Sequence, residues 1–333
     1  MSEVNSSYPF ASARVKAMEP RLITKEKLNR LIEAKDYDAA MRQLAEFGYG
    51  QSGGSGAGYS FEELIQKELT ETDALLEALS PSDVFTRIMR AERDYFNLKV
   101  LIKLLMQNRP LDSFALLPGN IPVETLRRAI SENNYYDLPD AMKEALQYID
   151  RQFTVAADAS IIGIALDRAY AKEVNALLQK MKNPLVSTYF TAFFDISNII
   201  ALLRVRAAGL PKESFERVIT RGGSIDKRTL LDAFELPDES VLAAVARGRY
   251  YDVLAPAFED YVKTGSLYMM EKARDDYLLS LLKEQRHDMF GIGPLMGYYI
   301  AKQREAAAVR LVMTAKLGGV DMDVAVSRLK ELY

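Results

Sequence analysis

Few residues in this chain have the type and spacing to do chemistry. A single histidine, His287, stands in Gln285-Arg286-His287-Asp288. A histidine beside a carboxylate can act as a general base. In a charge-rich helix–turn region, one imidazole reads more simply as a solvated side chain, and no second histidine or cysteine exists to join it in a metal site. The absence of cysteine excludes disulfides, thiolate zinc and cysteine nucleophiles, and it fits a reducing compartment. Carboxylates cluster as Glu62-Glu63, Asp275-Asp276, and Asp321 with Asp323. Adjacent helical residues point about 100° apart, so Asp275 and Asp276 form no acid–base pair. Such groups read as solvated charges or caps. The glycine-rich stretch 48–58 is followed by no Lys-Ser/Thr pair and preceded by no strand, so it reads as an inter-helix loop, not a phosphate cradle. No catalytic set, cofactor or metal is expected.

Polar pairs at i and i+3 stand out instead. Asp94 and Asn97 open the apolar run Leu98, Val100, Leu101, Ile102, Leu104 and Leu105; Asp195 and Asn198 open Ile199, Ile200, Leu202, Leu203 and Val205 in the same register. The two runs close with the turns Asn108-Arg109-Pro110 and Gly209-Leu210-Pro211. Near the C-terminus, Lys302 and Glu305 precede Val309, Leu311, Val312 and Met313, and Gly318-Gly319 follows. Residues three apart share a helical face. Each pair is either part of a ligand site or a device that satisfies buried partners between packed helices; the apolar setting favours the second.

The elements around these pairs repeat as well. Asn134-Tyr135-Tyr136-Asp137 returns as Arg249-Tyr250-Tyr251-Asp252 and, degenerately, as Lys35-Asp36-Tyr37-Asp38. Each follows a short apolar-periodic helix, such as Val123–Ser131 or Ser240–Arg247, and an apolar residue (Ile130, Val245, Leu31) lies six positions before the second tyrosine or its equivalent. Tyr136 and Tyr251 are expected to wedge between helices. Leu166-Asp167-Arg168-Ala169-Tyr170 has a looser echo in Arg274-Asp275-Asp276-Tyr277. Prolines fall mainly between periodic segments, and no stretch alternates as a strand would. The fold class is therefore all-α, built of duplicated modules of about a hundred residues that bury apolar faces against one another. The expected boundaries are 1–79, 80–183, 184–288, and a C-terminal 289–333 that completes the first module.

Composition narrows the function. With 43 Lys+Arg against 46 Asp+Glu the net charge is −3, which gives no global basic field for nucleic acid or an anionic membrane. The N-terminus lacks a basic-then-apolar signal, and no uninterrupted apolar run approaches the ~20 residues of a membrane span. Work at a membrane would be done from outside it, through other proteins.

Gly293-Pro294-Leu295 through Tyr299, Lys302, Glu305 and Arg310 resembles the Pro-Leu…Tyr-x-x-Lys-x-x-Glu…Arg signature of the C subunits of archaeal and bacterial V/A-type rotary ATPases, which are similar to the d subunit of eukaryotic V-ATPases. Ala13–Glu19 looks like that family's opening motif, and Leu166–Tyr170 and the length of 333 residues also fit. The glycine-rich 48–58 is the main departure. The resemblance implies three similar helical-bundle domains in a pseudo-threefold funnel. It implies a non-catalytic, peripheral component on the cytoplasmic face, a socket between the central shaft (the D and F subunits) and the membrane rotor ring of proteolipid subunits. Such a component transmits torque for ATP-coupled proton or sodium transport. The shaft and ring contacts are not assigned by it. The alternative is a helical-repeat adaptor unrelated to a rotary motor, but solenoid repeats run roughly 20–50 residues, shorter than the units here; an enzyme stands third.

Overall fold

Helix starts follow the local chemistry. Ser60 accepts from the Glu63 N–H while Glu63 reaches back to the Ser60 N–H, a reciprocal capping box ahead of Phe61–Leu79. Thr24, Asp36, Asn183 and Asp226 cap other helices through their side-chain oxygens. Pro122 and Pro237 stand at N-cap positions. In the computed structural model, which describes residues 7–50, 60–155, 159–246 and 248–333, all regular structure is helical. Of the glycine-rich loop, residues 51–58 lie outside the described residues, as does Arg247 at the end of the expected helix Ser240–Arg247; the helix there is Asp238–Val245.

Met1–Pro81 with Asp275–Tyr333 form one compact unit, and Ser82–Arg274 form a second. In the first lie α1 (Ser7–Met18), α2 (Lys25–Glu33), α3 (Tyr37–Glu46), α4 (Phe61–Leu79), α15 (Gly293–Gly318) and α16 (Met322–Ser327). The second holds α5 (Asp83–Met106), α6 (Val123–Ser131), α7 (Asp140–Val155), α8 (Ser160–Met181), α9 (Pro184–Ala207), α10 (Lys212–Val218), α11 (Lys227–Ala233), α12 (Asp238–Val245) and α13 (Arg249–Thr264). The boundary falls inside α14 (Tyr268–Glu284).

In the first unit α15 is buried on several faces and packs against α1, α2, α3 and α4. Met296, Val309, Val312 and Met313 meet a core that includes Leu31, Leu44, Ile65 and Leu76, and Ala301, Ala306 and Ala308 keep its surface narrow. Each such large apolar side chain contributes about 1.5–3 kcal/mol on burial. In the second unit α5 packs on α8 and α8 on α7, while α9 carries α10 and α11. An aromatic cluster fills the space by α9: Tyr95 and Tyr170 meet edge-on with centroids 5.7 Å apart, and Phe193 and Phe194 at 5.4 Å. Helix α9 is long and apolar enough to cross a membrane, yet 61% of its most apolar window is buried inside the protein.

Tyr136 and Tyr251 do not wedge between helices. They are 82% and 42% exposed. It is the preceding tyrosine that anchors each corner: the Tyr135 hydroxyl donates to Asp150 at 3.2 Å and the Tyr250 hydroxyl to Asp195 at 3.3 Å. In a Tyr-Tyr pair one position of chain rotation swaps the inner and outer ring, and the sequence does not distinguish them.

Candidate functional site: three buried carboxylates

Each of the three long helices α5, α9 and α15 buries one carboxylate in its apolar interior. Asp94, Asp195 and Glu305 are 1%, 0% and 2% exposed. A charge so placed is tolerated only when its oxygens are hydrogen-bonded, and all three receive the same kind of donor. The Ile121 N–H donates to Asp94 Oδ1 at 3.1 Å, the Ile225 N–H to Asp195 Oδ1 at 2.8 Å, and the Ile23 N–H to Glu305 Oε2 at 2.7 Å. In each case the isoleucine stands immediately before the N-cap of a short helix: α6, α11 and α2.

The remaining bonds differ in chemistry. Asp94 Oδ2 accepts from the Asn120 N–H at 2.9 Å, and Asn97 Nδ2 donates to the Leu117 carbonyl at 2.8 Å. Asp195 Oδ2 accepts from Ser224 Oγ at 2.6 Å, while Asn198 both donates to the Thr220 carbonyl and accepts from its N–H, each at 2.9 Å. Glu305 Oε1 accepts from the Tyr49 hydroxyl and from Lys302 Nζ, both at 2.7 Å, and Lys302 Nζ also donates to Glu68 at 2.8 Å. Burial works against the Lys302 charge, but Glu305 and Glu68 hold its pKa above the ordinary lysine value. Burial, then Glu305, raises Tyr49 well above a free phenol. Asp94 is served mainly by backbone N–H groups, and burial outweighs them, pushing its pKa up to about 6.

The third pair is therefore out of the register its sequence suggests. Lys302 and Glu305 do not take the places of Asp195 and Asn198; Glu305 takes the place of the aspartate. The left-handed residues Asn108, Gly209 and Gly319 end the three helices, each fourteen positions after its carboxylate (94 to 108, 195 to 209, 305 to 319). Buried Ala308 stands where the asparagine would be, and Lys302 lies one turn earlier.

Two glycines enforce the close approach of loop to carboxylate. Gly119 and Gly223 each lie two residues before the isoleucine, and a Cβ on either would fall onto the Asp94 or Asp195 carboxylate. Gly-Asn-Ile and Gly-Ser-Ile ahead of a helix are the signal in the sequence that marks them. The remaining signature residues divide: Tyr299 is buried, its hydroxyl donating to Asp73 at 3.0 Å, whereas Arg310 holds Glu62 with two bonds of 2.7 and 2.8 Å at a half-exposed site.

His287 is exposed, and Asp288 Oδ1 accepts from the Phe290 N–H at 3.0 Å, closing a turn. A cleft of about 350 Å³ in Ser82–Arg274 is walled by Tyr95, Phe96, Tyr170 and Phe193. Its cations are engaged, Lys99 with Asp167, Arg204 with Glu271 at 2.6 Å, and Arg274 with Ser197 at 3.2 Å. Among the described residues no three His, Cys, Asp or Glu side chains gather as a metal cage.

The chain is similar to the C subunit of the A-type ATP synthase of Methanocaldococcus jannaschii, 25% identical with 93% of this chain and 83% of that protein covered. It is 24% identical to the C subunit of the V-type sodium ATPase of Enterococcus hirae, over 96% of this chain and 97% of the relative. The corresponding A-type ATP synthase protein of Thermococcus onnurineus is 26% identical, with 98% and 89% covered. Residues 11–327 match the model of one family, and with them the chain belongs to the ATP synthase (C/AC39) subunit family of V/A-type rotary ATPases.

Proposed function

We propose that the protein is the non-catalytic central-stalk component of its rotary ATPase, a socket on the cytoplasmic face that joins the central shaft, made of the D and F subunits, to the proteolipid rotor ring and passes torque between them. The observation that carries this reading is the use of the buried polar groups. The buried carboxylates Asp94, Asp195 and Glu305 are spent on holding the protein's own loops, which stiffens a body and leaves none of the three free for a reaction. The repeated clamp also supports three modules, 80–183, 184–288, and 1–79 completed by 289–333. A net charge of −3 supports protein partners over nucleic acid. Whether the ion is a proton or sodium is a property of the ring.

Removal of the protein from the complex tests this. ATP hydrolysis by the detached head is expected to persist while ATP-driven ion transport across the membrane vanishes. Membranes that lack the protein and still pump at the normal rate would refute the proposal, as would hydrolysis of a nucleotide by the purified protein.

A further inference from the structure

The three long helices end alike, and one of them departs from the pattern in two places. Three residues before the left-handed turn, α9 has Arg206 and α15 has Lys316. Arg206 donates to the carbonyls of Ala233, Phe234 and Leu236, closing the C-terminal end of α11. Lys316 donates to the carbonyls of Ile32 and Ala34, closing the end of α2 in the same way. The corresponding residue of α5 is Leu105, and it is 49% exposed. Just beyond the turn, Pro110-Leu111-Asp112-Ser113-Phe114 matches Pro211-Lys212-Glu213-Ser214-Phe215, and in both the serine N–H donates to the proline carbonyl. Phe215 is fully buried and stacked on Phe234 with centroids 5.7 Å apart, whereas Phe114 is 49% exposed. Met106 adds a third exposed apolar side chain. The loop that carries Phe114 is held in place, since Arg127 Nε donates to the Leu111 carbonyl at 3.2 Å.

Two internal contacts present elsewhere have thus been exchanged, at one helix end, for exposed apolar surface. Such exposure marks an interaction site when polar residues rim it. The free charges here are Lys103 and Arg109, both exposed, and Asp112, while Arg127 is taken up by Glu124 and the Leu111 carbonyl. Two cations are too few for an anionic membrane surface, which calls for clusters of about 4–8. They suit the acidic edge of a protein helix.

We propose that Leu105, Met106 and Phe114 form a docking surface for an amphipathic helix of another protein of the complex, its apolar stripe edged by Asp or Glu that pair with Lys103 and Arg109. The inference rests on the proposed function for the complex in which the partner sits.

The test uses the whole protein and membranes of the native complex stripped of it. Leu105→Arg restores the residue type of the other two helix ends, so the free variant should melt at or above the wild-type temperature and yet rejoin the complex at least ten-fold more weakly. Phe114→Ser should weaken rejoining likewise. Lys103→Glu/Arg109→Glu, wholly on the surface, should weaken it most at low salt. A photo-crosslinking residue at 114 should form its adduct with another protein of the complex, at a helix bearing acidic residues. Variants that rejoin as well as wild type, or an adduct to lipid or to a second copy of this chain, would overturn the docking surface and leave the proposed function standing. A wild-type protein that does not rejoin would overturn both.

Discussion

The Ile23 N–H and the Glu305 carboxylate are 282 positions apart in sequence and 2.7 Å apart in space. Lys302 and Tyr49 complete the same carboxylate, and Glu68 completes Lys302. Removing one member of a buried charged set strands the others at a cost of about 3–5 kcal/mol. Glu305→Gln and Lys302→Met are each expected to destabilise the protein by about that much, and the double substitution by less than their sum. Urea unfolding followed by circular dichroism gives the cycle; additive losses would show that the two side chains are not coupled.

Gly119→Ala and Gly223→Ala should each break a clamp from the loop side. The new methyl displaces the carboxylate from its N–H donors, at about 2–4 kcal/mol. Gly163→Ala, where a Cβ has nothing within 4 Å, is the control and should be neutral or slightly stabilising. Equal melting temperatures for Gly119→Ala and wild type would contradict the close approach.

Asp94 titrates near pH 6 in the folded protein against an ordinary 3.8, because burial disfavours its charge. The folded state binds this proton more tightly than the unfolded state. Its contribution to stability is full below pH ~4 and lost as pH rises through about 6, amounting to about 3 kcal/mol. A carboxyl carbon of Asp94 that titrates near 4 by NMR would contradict this, and Asp94→Asn should remove this part of the pH dependence.

His287→Gln and Arg310→Ala should change stability by less than about 1 kcal/mol, since one side chain is exposed and the other belongs to a half-exposed ion pair. ATP-driven ion transport by complexes carrying His287→Gln should match wild type. Loss of coupling with the variant folded and bound would give the imidazole a role.

Helices, their caps and the paired polar positions Asp94/Asn97 and Asp195/Asn198 were legible because each leaves a local trace of period, capping chemistry or spacing. The register of the third copy was not. Lys302-x-x-Glu305 mimics the spacing of the other two, and only the Ile23 donor and the left-handed Gly319 reveal that Glu305 is the equivalent of the aspartates. The same limit applied to Tyr135/Tyr136 and Tyr250/Tyr251, where exposure depends on which way a corner turns. It applied again to Phe114 and Phe215, which share a Pro-x-x-Ser-Phe motif and are opposite in burial.

The bond from Ile23 to Glu305 also sets an order on synthesis. Ser82–Arg274 is one continuous stretch that forms a compact unit, and it can begin to close once it has left the ribosome. The segment before it emerges earlier but lacks α15, against which α1, α2, α3 and α4 bury their apolar faces. Residues 7–81 are thus made early and find their place late, and until α15 has emerged Leu31, Leu44 and Ile65 are open to chaperones.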